Sequence, residues 1–244
     1  MKTELEGKTA VVTGVTSGIG EAIGLRLLAS GAKVLGIGRN EEKLGQLRER
    51  GGERFVPVAA DLTSIDQRKL AIDRLKKTAW RFDVFVSNAA ACMYQSPLTT
   101  DLDELRRLFE VNVFAGLDLA QALVPSMESG GHIVQLSSVT ARFVANSRFA
   151  PYAVSKLAIE RFTESMRLEL HPRGIKVSLM VLGLVDTPIY QKVRGFAPTE
   201  AKIREQVKEW LTPDDVAEGV MWMLTRPAHV VVSEMVIMPR EQTR

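Results

Sequence analysis

A glycine-rich turn near the start of the chain most constrains what this sequence can fold into. Residues 9–13 are a largely β-branched run, residues 14–20 read Gly-Val-Thr-Ser-Gly-Ile-Gly, and apolar residues then recur at helical spacing from Ile19 to Leu28. This order predicts a strand, a tight turn and a helix. Backbone N–H groups and the helix dipole at such a turn can hold a pyrophosphate, although glycines can also serve only to shape the turn.

Strand and helix patterns alternate along the rest of the chain, without a Pro- or Ser-rich linker or an internal repeat. Alternation of this kind predicts an α/β fold: a three-layer, Rossmann-like, doubly wound parallel sheet of about seven strands with helices on both faces. We expect one domain over residues 1–244, with ligands at the carboxyl ends of the strands. The predicted strands after the first are residues 33–37, 55–59, 84–86, 133–136, 175–182 and 235–238.

Capping residues and apolar spacing predict the helices. Asn40, either Thr63 or Ser64, and Asp101 are each expected to begin a helix. Two more are predicted at about 151–170 and 213–224, and the helix after Ser64 is expected to have an apolar register of Ile65, Leu70, Ile72 and Leu75.

Residues 187–212 show no clean periodicity in their first half. A connection of this length is more often a lid or a binding segment than a simple link. We therefore expect a loop or lid on the substrate side at about 187–212.

Composition narrows the class of protein. The 244 residues are 45% hydrophobic and 25% charged, with a net charge of +3, which is ordinary for a globular chain and excludes disorder. No basic tract indicates nucleic acid, no segment in residues 1–8 reads as a signal peptide, and the longest apolar stretch, 177–185, is too short to span a membrane. The single Cys92 needs no oxidising compartment, so the cytoplasm is expected. The three histidines have no ligand spacing, and we expect no metal.

The residues after the second predicted strand bear on which dinucleotide would bind. An acidic residue there would accept hydrogen bonds from the adenine ribose hydroxyls, but the chain has Gly38 and Arg39. An arginine can pair a 2′-phosphate, which favours NADP(H) over NAD(H). An exposed charge at a helix start is the other interpretation of Arg39.

Four polar residues form a second pattern. Tyr152 and Lys156 lie four apart on a predicted helix and hence on one face. Alone, this pair could be a core aromatic beside a solvated lysine. Ser138 ends the fifth predicted strand, however, and Asn112 lies within a helix, where an amide has little intrinsic reason to be. With the glycine turn and the Asn88-Ala89-Ala90 segment, these residues resemble the short-chain dehydrogenases/reductases, in their compact single-domain branch.

The resemblance covers nearly the whole chain and implies roles for individual residues. It implies a catalytic tetrad of Asn112, Ser138, Tyr152 and Lys156, with Asp61 and Leu62 at the adenine and Thr187 at the carboxamide. The cofactor contacts that it implies, taken with the turn and Arg39, are Gly14, Thr16, Ser17, Gly18, Ile19, Gly20, Arg39, Asp61, Leu62, Asn88, Ala89, Tyr152, Lys156, Val185 and Thr187.

Three positions depart from the family pattern. Ala90 and Leu182 stand where the family usually has glycine and proline, which should adjust packing near the nicotinamide. Ser138 precedes Tyr152 by fourteen residues where the family usually has thirteen. The loop 139–150 is therefore expected to contain one extra residue and to border the substrate.

The expected reaction is the reversible, NADP(H)-dependent reduction of an aldehyde or ketone. Tyrosine can supply the proton, and a neighbouring lysine ammonium should lower its pKa. The rival interpretation is a non-catalytic sensor or scaffold that binds a dinucleotide. The resemblance also implies a homotetramer or homodimer built through helices at 102–127 and 151–170.

The substrate is open at this point. The expected pocket runs past Cys92, the loop 142–149 and the segment 189–210, whose apolar residues favour a nonpolar substrate. Arg142, Arg148 and Arg194 would suit a carboxylate instead. The C-terminal residues 212–239 resemble a reductase subgroup that acts on small 3-hydroxy acids, serine-like compounds and clavulanate-type aldehydes.

Overall fold

A computed structural model describes residues 4–78, 80–144 and 146–243, so that residues 1–3 of the N-terminal segment, Ala79, Ala145 of the predicted substrate loop and the final residue lie outside it. The strands are β1 (Thr9–Thr13), β2 (Lys33–Gly38), β3 (Phe55–Ala59), β4 (Val84–Ser87), β5 (His132–Ser138), β6 (Lys176–Leu182) and β7 (Glu234–Ile237). These seven parallel strands form one sheet in the order β3-β2-β1-β4-β5-β6-β7. The predicted doubly wound α/β fold is confirmed.

Helices cover both faces of the sheet because successive strand residues point to opposite faces and both sets are apolar. Val12 and Val134 pack towards one group of helices, whereas Val11 and Ile133 pack towards the other. The first group is α1 (Gly18–Ala29), α2 (Glu41–Gly51) and α8 (Pro213–Leu224); the second is α3 (Ile65–Lys77), α4 (Leu102–Phe109), α5 (Ala115–Leu123) and α6 (Ala150–Leu170).

The predicted helix starts are confirmed, and each has a local cause. The side chains of Asn40, Ser64 and Asp101 accept hydrogen bonds from backbone N–H groups in the first turns of α2, α3 and α4. Those N–H groups have no partner within the helix, so the caps stabilise each start by about 1 kcal/mol.

The apolar register expected for α3 is wrong in part. Ile65 and Leu70 are 50% and 68% exposed, and the face against the sheet contains Arg68, Ala71 and Leu75. Arg68 can be buried because its guanidinium donates to the carboxylates of Glu110 and Asp118. Apolar spacing cannot reveal a buried arginine whose partners are some 40 to 50 residues away.

Two expectations near the C-terminus need smaller corrections. The stretch 187–212 is irregular at first, as predicted, but it also contains the helix α7 (Ala197–Gln206), none of whose residues is fully buried. The last strand runs one residue earlier than predicted, from Glu234 to Ile237.

The predicted long helix after Asp101 is interrupted by a π-helical segment, Glu110–Phe114, between α4 and α5. Within the described residues, the continuous stretch Leu102–Ser126 is the one helix long and apolar enough to cross a membrane by length and composition. Its inner residues, including Leu119 and Leu123, pack in the core beneath the sheet, and core helices of globular proteins commonly meet the same criteria.

Candidate active site

A cleft of about 420 Å³ lies at the carboxyl ends of the strands, where the strand order reverses between β1 and β4. Most of the predicted site residues line it. They are Gly14, Thr16, Ser17, Gly18, Ile19, Arg39, Asp61, Leu62, Asn88, Ala89, Tyr152, Lys156 and Thr187.

Four predicted site residues do not line the cleft. Val185 is buried and pairs with Leu211 in an isolated bridge, and Gly20 packs behind the turn. Asn112 and Ser138 contact lining residues instead, through hydrogen bonds to Ala91 and Tyr152. Among the wall residues that sequence reasoning did not name are Ala60, Leu136, Ser137 and Pro188. The first three stand at the ends of predicted strands, and that position is a signal that could have found them. Gly38, Leu182 and Ile189, which the sequence analysis placed near the cofactor or the substrate, also line the cleft.

The glycine positions of the turn leave no room for a Cβ atom. Gly14 has φ +72°, a left-handed conformation that favours glycine, and a Cβ at Gly20 would overlap the carbonyl oxygen of Gly14. The Ser17 side chain makes no capping hydrogen bond at the start of α1, where the first N–H groups lack helical partners. The turn therefore fits a pyrophosphate, whose oxygens could accept from these N–H groups.

Asn88 fixes the floor of the cleft by tying β4 to β1. The backbone N–H groups of Asn88 and Ala89 both donate to the Thr13 hydroxyl at 2.9 Å, and Asn88 Nδ2 donates to the Thr13 carbonyl at 2.8 Å. On the opposite side, Thr187 approaches the turn closely enough that a Cβ at Gly18 would meet its Cγ2 at 3.3 Å. The segment after β6 thus lies over the glycine turn.

The far end of the cleft contains one cation beside one carboxylate. Arg39 Nη1 lies 3.8 Å from Asp61 Oδ2, and the Arg39 side chain is 63% exposed. The Asp61 carboxylate also accepts from the backbone N–H and hydroxyl of Thr63, which hold it in place. Arg39 is therefore accessible to an anion at this end, whereas Asp61 is engaged by its own turn.

Tyr152, Lys156 and Ser138 are brought together where α6 crosses the end of β5. Lys156 Nζ donates to the Leu136 carbonyl at 3.0 Å and lies 5.9 Å from the centroid of the Tyr152 ring. A hydrogen bond joins the side chains of Tyr152 and Ser138, and Ser138 Oγ also accepts from the Thr140 hydroxyl at 3.0 Å.

Burial governs the pKa values of this pair. It raises the pKa of Tyr152 well above its ordinary value, with Cys92 and Tyr190 adding to the rise and the Ser138 hydrogen bond opposing it. It lowers the pKa of Lys156 to about 8, and Cys92 and Glu160 oppose that shift. The predicted lowering of the Tyr152 pKa by Lys156 is wrong for this structure, because the loss of water around the phenol outweighs any attraction to the ammonium.

Asn112 lies in the π-helical segment and is almost fully buried. Its Oδ1 accepts from the Ala91 N–H at 2.8 Å, and its Nδ2 donates to the Ala91 carbonyl at 3.0 Å and to Ser155 Oγ at 2.9 Å. The amide therefore joins the cleft wall to α6, close to Tyr152. The sequence indicated that an asparagine is unusual within a helix, but it did not predict the π-helical turn in which Asn112 lies.

Four aromatic side chains beside the cleft pack in edge or tilted contacts. Tyr94, Phe149, Tyr190 and Phe196 have ring centroids 5.0–5.3 Å apart, and Phe196 is fully buried. We call these four residues the aromatic cluster. The Tyr94 hydroxyl accepts from Asn146 Nδ2 at 2.9 Å and lies 3.0 Å from Thr199 Oγ1 on α7. The cluster thus joins the loop after β5 to the segment 187–212.

None of the three arginines considered for carboxylate binding is among the residues that line the cleft. Arg142 pairs with Glu160 and Glu234, Arg148 lies over the Tyr94 ring at 4.7 Å, and the 91% exposed Arg194 lies 3.7 Å from Glu104. Cys92 lines the cleft, but burial raises the pKa of its thiol to about 12, which suits a packing role. Among residues 4–78, 80–144 and 146–243, no group of three or more His, Cys, Asp or Glu residues could hold a metal ion.

Comparison with known proteins places the chain in a family. Residues 8–197 match the short chain dehydrogenase family. Uncharacterized oxidoreductases of Staphylococcus aureus (strain USA300) and Staphylococcus epidermidis are 35% and 33% identical over 241 and 242 residues, which cover 97% of this chain and 99% of theirs.

Solved structures are similar over the same extent. The closed form of serine dehydrogenase complexed with NADP+ superposes with a TM-score of 0.87 at 26% identity, covering 97% of this chain and 96% of that one. A short chain dehydrogenase from Burkholderia cenocepacia J2315 in complex with NADP has a TM-score of 0.84 at 29% identity, covering 96% and 97%. The protein is therefore an oxidoreductase of the short chain dehydrogenase family.

Proposed function

We propose that the protein is an NADP(H)-dependent oxidoreductase that interconverts a carbonyl compound, an aldehyde or ketone, and its alcohol. The observation that carries this proposal is the position of Tyr152 and Lys156 on one face of α6, in the wall of the cleft that begins at the glycine turn. A protein that only bound a dinucleotide would need the turn but not a buried tyrosine and lysine at the other end.

In this proposal the bound dinucleotide supplies or accepts the hydride, and the residues of this chain manage the proton. Tyr152 is the acid in reduction and the base in alcohol oxidation, and its raised pKa keeps the phenol protonated and ready to donate at neutral pH. Ser138, bonded to the same phenol, is placed to donate to the substrate carbonyl oxygen as negative charge develops there.

Lys156 and Asn112 support the proton donor from behind. The Lys156 ammonium places a positive charge near the developing oxyanion, and its pKa of about 8 leaves it mostly protonated at pH 7. Asn112 anchors the Ala91 backbone and Ser155, which keeps the cleft wall and α6 at a fixed separation. The family resemblance assigns Asn112 the further task of positioning a water for proton relay.

The proposed cofactor is NADP(H) because Arg39 is accessible at the end of the cleft opposite Tyr152. A guanidinium can pair a 2′-phosphate through charge-assisted hydrogen bonds. Structural relatives support the same choice: the serine dehydrogenase was solved with NADP+, the Burkholderia protein with NADP, and a blue fluorescent protein from a metagenomic library with NADPH.

The cleft favours an uncharged substrate. Beside Tyr152 its walls are Ala90, Ala91, Cys92 and Ile189, and the arginines that could neutralise a carboxylate are paired or exposed elsewhere. An unpaired carboxylate in such surroundings would be costly. We therefore expect 4-methylpentanal to be reduced with a kcat/KM at least about tenfold above that of succinic semialdehyde. The two aldehydes have nearly the same shape, but succinic semialdehyde has a carboxylate where 4-methylpentanal has an isopropyl group. A higher kcat/KM for succinic semialdehyde would contradict this expectation and would favour a substrate with a carboxylate.

We also propose that the chain assembles as a homotetramer or homodimer through its outer helices. Apolar side chains on α6 and on the α4–α5 helix are exposed in one chain; they include Phe114, Val154, Leu157, Phe162 and Leu168. Burying them between subunits would remove apolar surface from water. Size-exclusion chromatography with light scattering should give a dimer or tetramer mass, and a monomer would contradict this expectation.

A screen of cofactor oxidation over aldehydes and ketones tests the proposed function. NADPH consumption above background with at least one substrate, and a lower rate with NADH under the same conditions, is the expected result. NADPH binding without turnover on any member of a broad panel would favour the non-catalytic sensor or scaffold instead.

A further inference from the structure

Behind the candidate catalytic pair lies a charged cluster that the reaction itself does not require. It consists of Arg142 on the loop after β5, Glu160 on α6 and Glu234 at the start of β7. Arg142 Nη1 and Nη2 each donate to one carboxylate oxygen of Glu234 at 2.7 Å, and its Nε donates to Glu160 at 3.3 Å. One guanidinium therefore joins a loop, a helix and a strand.

Glu160 is the buried member of this cluster. Its side chain is 7% exposed, and its Oε1 accepts from the Ser137 hydroxyl at 2.6 Å. Glu160 lies four residues after Lys156, which itself lies four after Tyr152, so all three occupy one side of α6. A carboxylate this buried requires a paired cation, and Arg142 supplies it.

Arg142 also ends the turn that orients Ser138. The residues Val139–Ala141 form a single 3₁₀ turn, and the Arg142 N–H donates to the Val139 carbonyl at 2.9 Å. Within this turn the N–H and hydroxyl of Thr140 both donate to Ser138 Oγ. The Arg142 side chain thus anchors the end of the short turn that begins at the hydroxyl bonded to Tyr152.

We propose that Arg142 is a positioning residue, which fixes the Ser138 turn against α6 and β7 and balances the charge of Glu160 behind Lys156. The inference rests on the proposed function of Tyr152, Lys156 and Ser138. Arg142 is not among the residues that line the cleft. A substitution there should therefore affect turnover while leaving the cofactor site intact.

The charges around Lys156 make the proposal testable by titration. The titratable groups that face Lys156 are Cys92 from the segment after β4 and Glu160 from α6; Tyr152 lies beside it, and Tyr190 of the segment 187–212 faces Cys92 and Tyr152. Of these, Cys92 and Tyr152 hold their protons through the neutral range because burial raises their pKa values. Glu160 and its partner Arg142 are then the charges expected to tune Lys156 near pH 8.

The first experiment follows the Lys156 side chain by NMR titration in the protein without added cofactor. Glu160→Gln removes the attracting carboxylate and should lower the pKa of Lys156. Arg142→Met removes the balancing cation, which leaves Lys156 as the cation that the Glu160 carboxylate attracts, and it should raise that pKa. We expect shifts of about half a pH unit or more in these opposite directions. Arg142→Lys keeps the charge and should leave the pKa near the wild-type value.

Opposite shifts distinguish the proposal from a general loosening of the fold, which would move both variants the same way. No shift in either variant, or the same direction of shift in both, would overturn the electrostatic part. If Arg142→Met does not fold, Arg142→Gln takes its place, because it retains a polar side chain and removes only the positive charge. It should raise the pKa of Lys156 in the same way, and an unchanged pKa would overturn the electrostatic part.

The second experiment measures turnover at saturating NADPH. Arg142→Lys cannot make all three contacts and should lower kcat about tenfold with the dissociation constant for NADPH changed less than twofold. Glu234→Gln should show a smaller loss of the same kind. A wild-type kcat in Arg142→Lys would overturn the positioning role. A wild-type protein without any turnover would instead refute the proposed function, while the titration result would still stand on its own.

Discussion

Lys156 Nζ donates a hydrogen bond to the carbonyl oxygen of Leu136 at 3.0 Å. Leu136 lies in β5 two residues before Ser138, and Lys156 lies one helical turn after Tyr152. This contact fixes α6 against the strand that ends at Ser138. The contact to the Leu136 carbonyl therefore helps to fix the distance between Tyr152, the proposed proton donor, and Ser138, the proposed donor to the oxyanion. Because one partner is a backbone atom, side-chain motion has little effect on this distance.

Arg39 should determine the choice of cofactor. Arg39→Ala should lower kcat/KM for NADPH about 10- to 100-fold, because a charge-assisted hydrogen bond to a phosphate contributes roughly 1.5–3 kcal/mol. The value for NADH should change less than threefold. Steady-state kinetics with both cofactors measures the effect, and Arg50→Ala, an exposed position on α2, is the control. An equal loss with both cofactors would contradict this role.

Gly20 should be intolerant of any side chain. A Cβ there would overlap the Gly14 carbonyl oxygen, so Gly20→Ala must distort the turn. We expect the Gly20→Ala protein to have a lower unfolding midpoint and to lose NADPH binding, which is measured by the fluorescence of the cofactor. Gly45→Ala is the matched control, because nothing lies within 4 Å of its Cβ position on α2, and alanine there should stabilise the protein by about 0.5–1 kcal/mol. Normal NADPH binding by Gly20→Ala would refute the account of the turn.

Asn112 should contribute to stability as well as to the site. Asn112→Ala leaves the Ala91 N–H and carbonyl without their partner and should lower the free energy of unfolding by about 3 kcal/mol. Denaturant unfolding measures this, with Gln121→Ala at an exposed position on α5 as the control. A change in Asn112→Ala no larger than in the control would show that the buried amide is not structural.

The sequence predicted the parts of the fold that depend on residues close together in the chain, and missed those that depend on residues far apart. Strand positions, helix caps and the glycine turn depend on neighbouring residues, and they were predicted to within two residues. The burial of Arg68 and the ion pairs that hold Arg142 away from the cleft depend on carboxylates far away in the sequence. No local pattern contains that information.

The candidate site shows the same division. The cleft-lining residues of the turn follow from their motif, whereas the π-helical turn at Asn112 and the aromatic cluster appear only in three dimensions. The direction of the Tyr152 pKa was also beyond the sequence, because it is decided by burial that several segments create together.

His132 should make the protein less stable in acid. Burial, with a smaller contribution from Lys176, lowers its pKa from 6.5 to about 4. Its Nε2 lies 2.7 Å from Ser178 Oγ, which itself donates to a carbonyl. Between these pH values the unfolded chain binds a proton that the folded protein does not. The free energy of unfolding should therefore fall by roughly 3 kcal/mol as the pH drops from about 6.5 to 4.

Denaturant unfolding across this pH range tests the role of His132. His132→Gln retains an amide donor near Ser178 but does not titrate, so its unfolding free energy should lose most of this pH dependence. His229→Gln, at an exposed position, should behave like the wild type. The same acid dependence in His132→Gln would assign the effect to other groups.

The central claim is that Tyr152 transfers the proton in carbonyl reduction. Tyr152→Phe retains the ring and removes only the hydroxyl, so the most direct measurement is its kcat on a carbonyl that the wild type reduces with NADPH. We expect kcat to fall by roughly 100- to 10,000-fold, the usual contribution of a general acid, with NADPH affinity and the unfolding midpoint close to wild type. Wild-type turnover by Tyr152→Phe would contradict the claim.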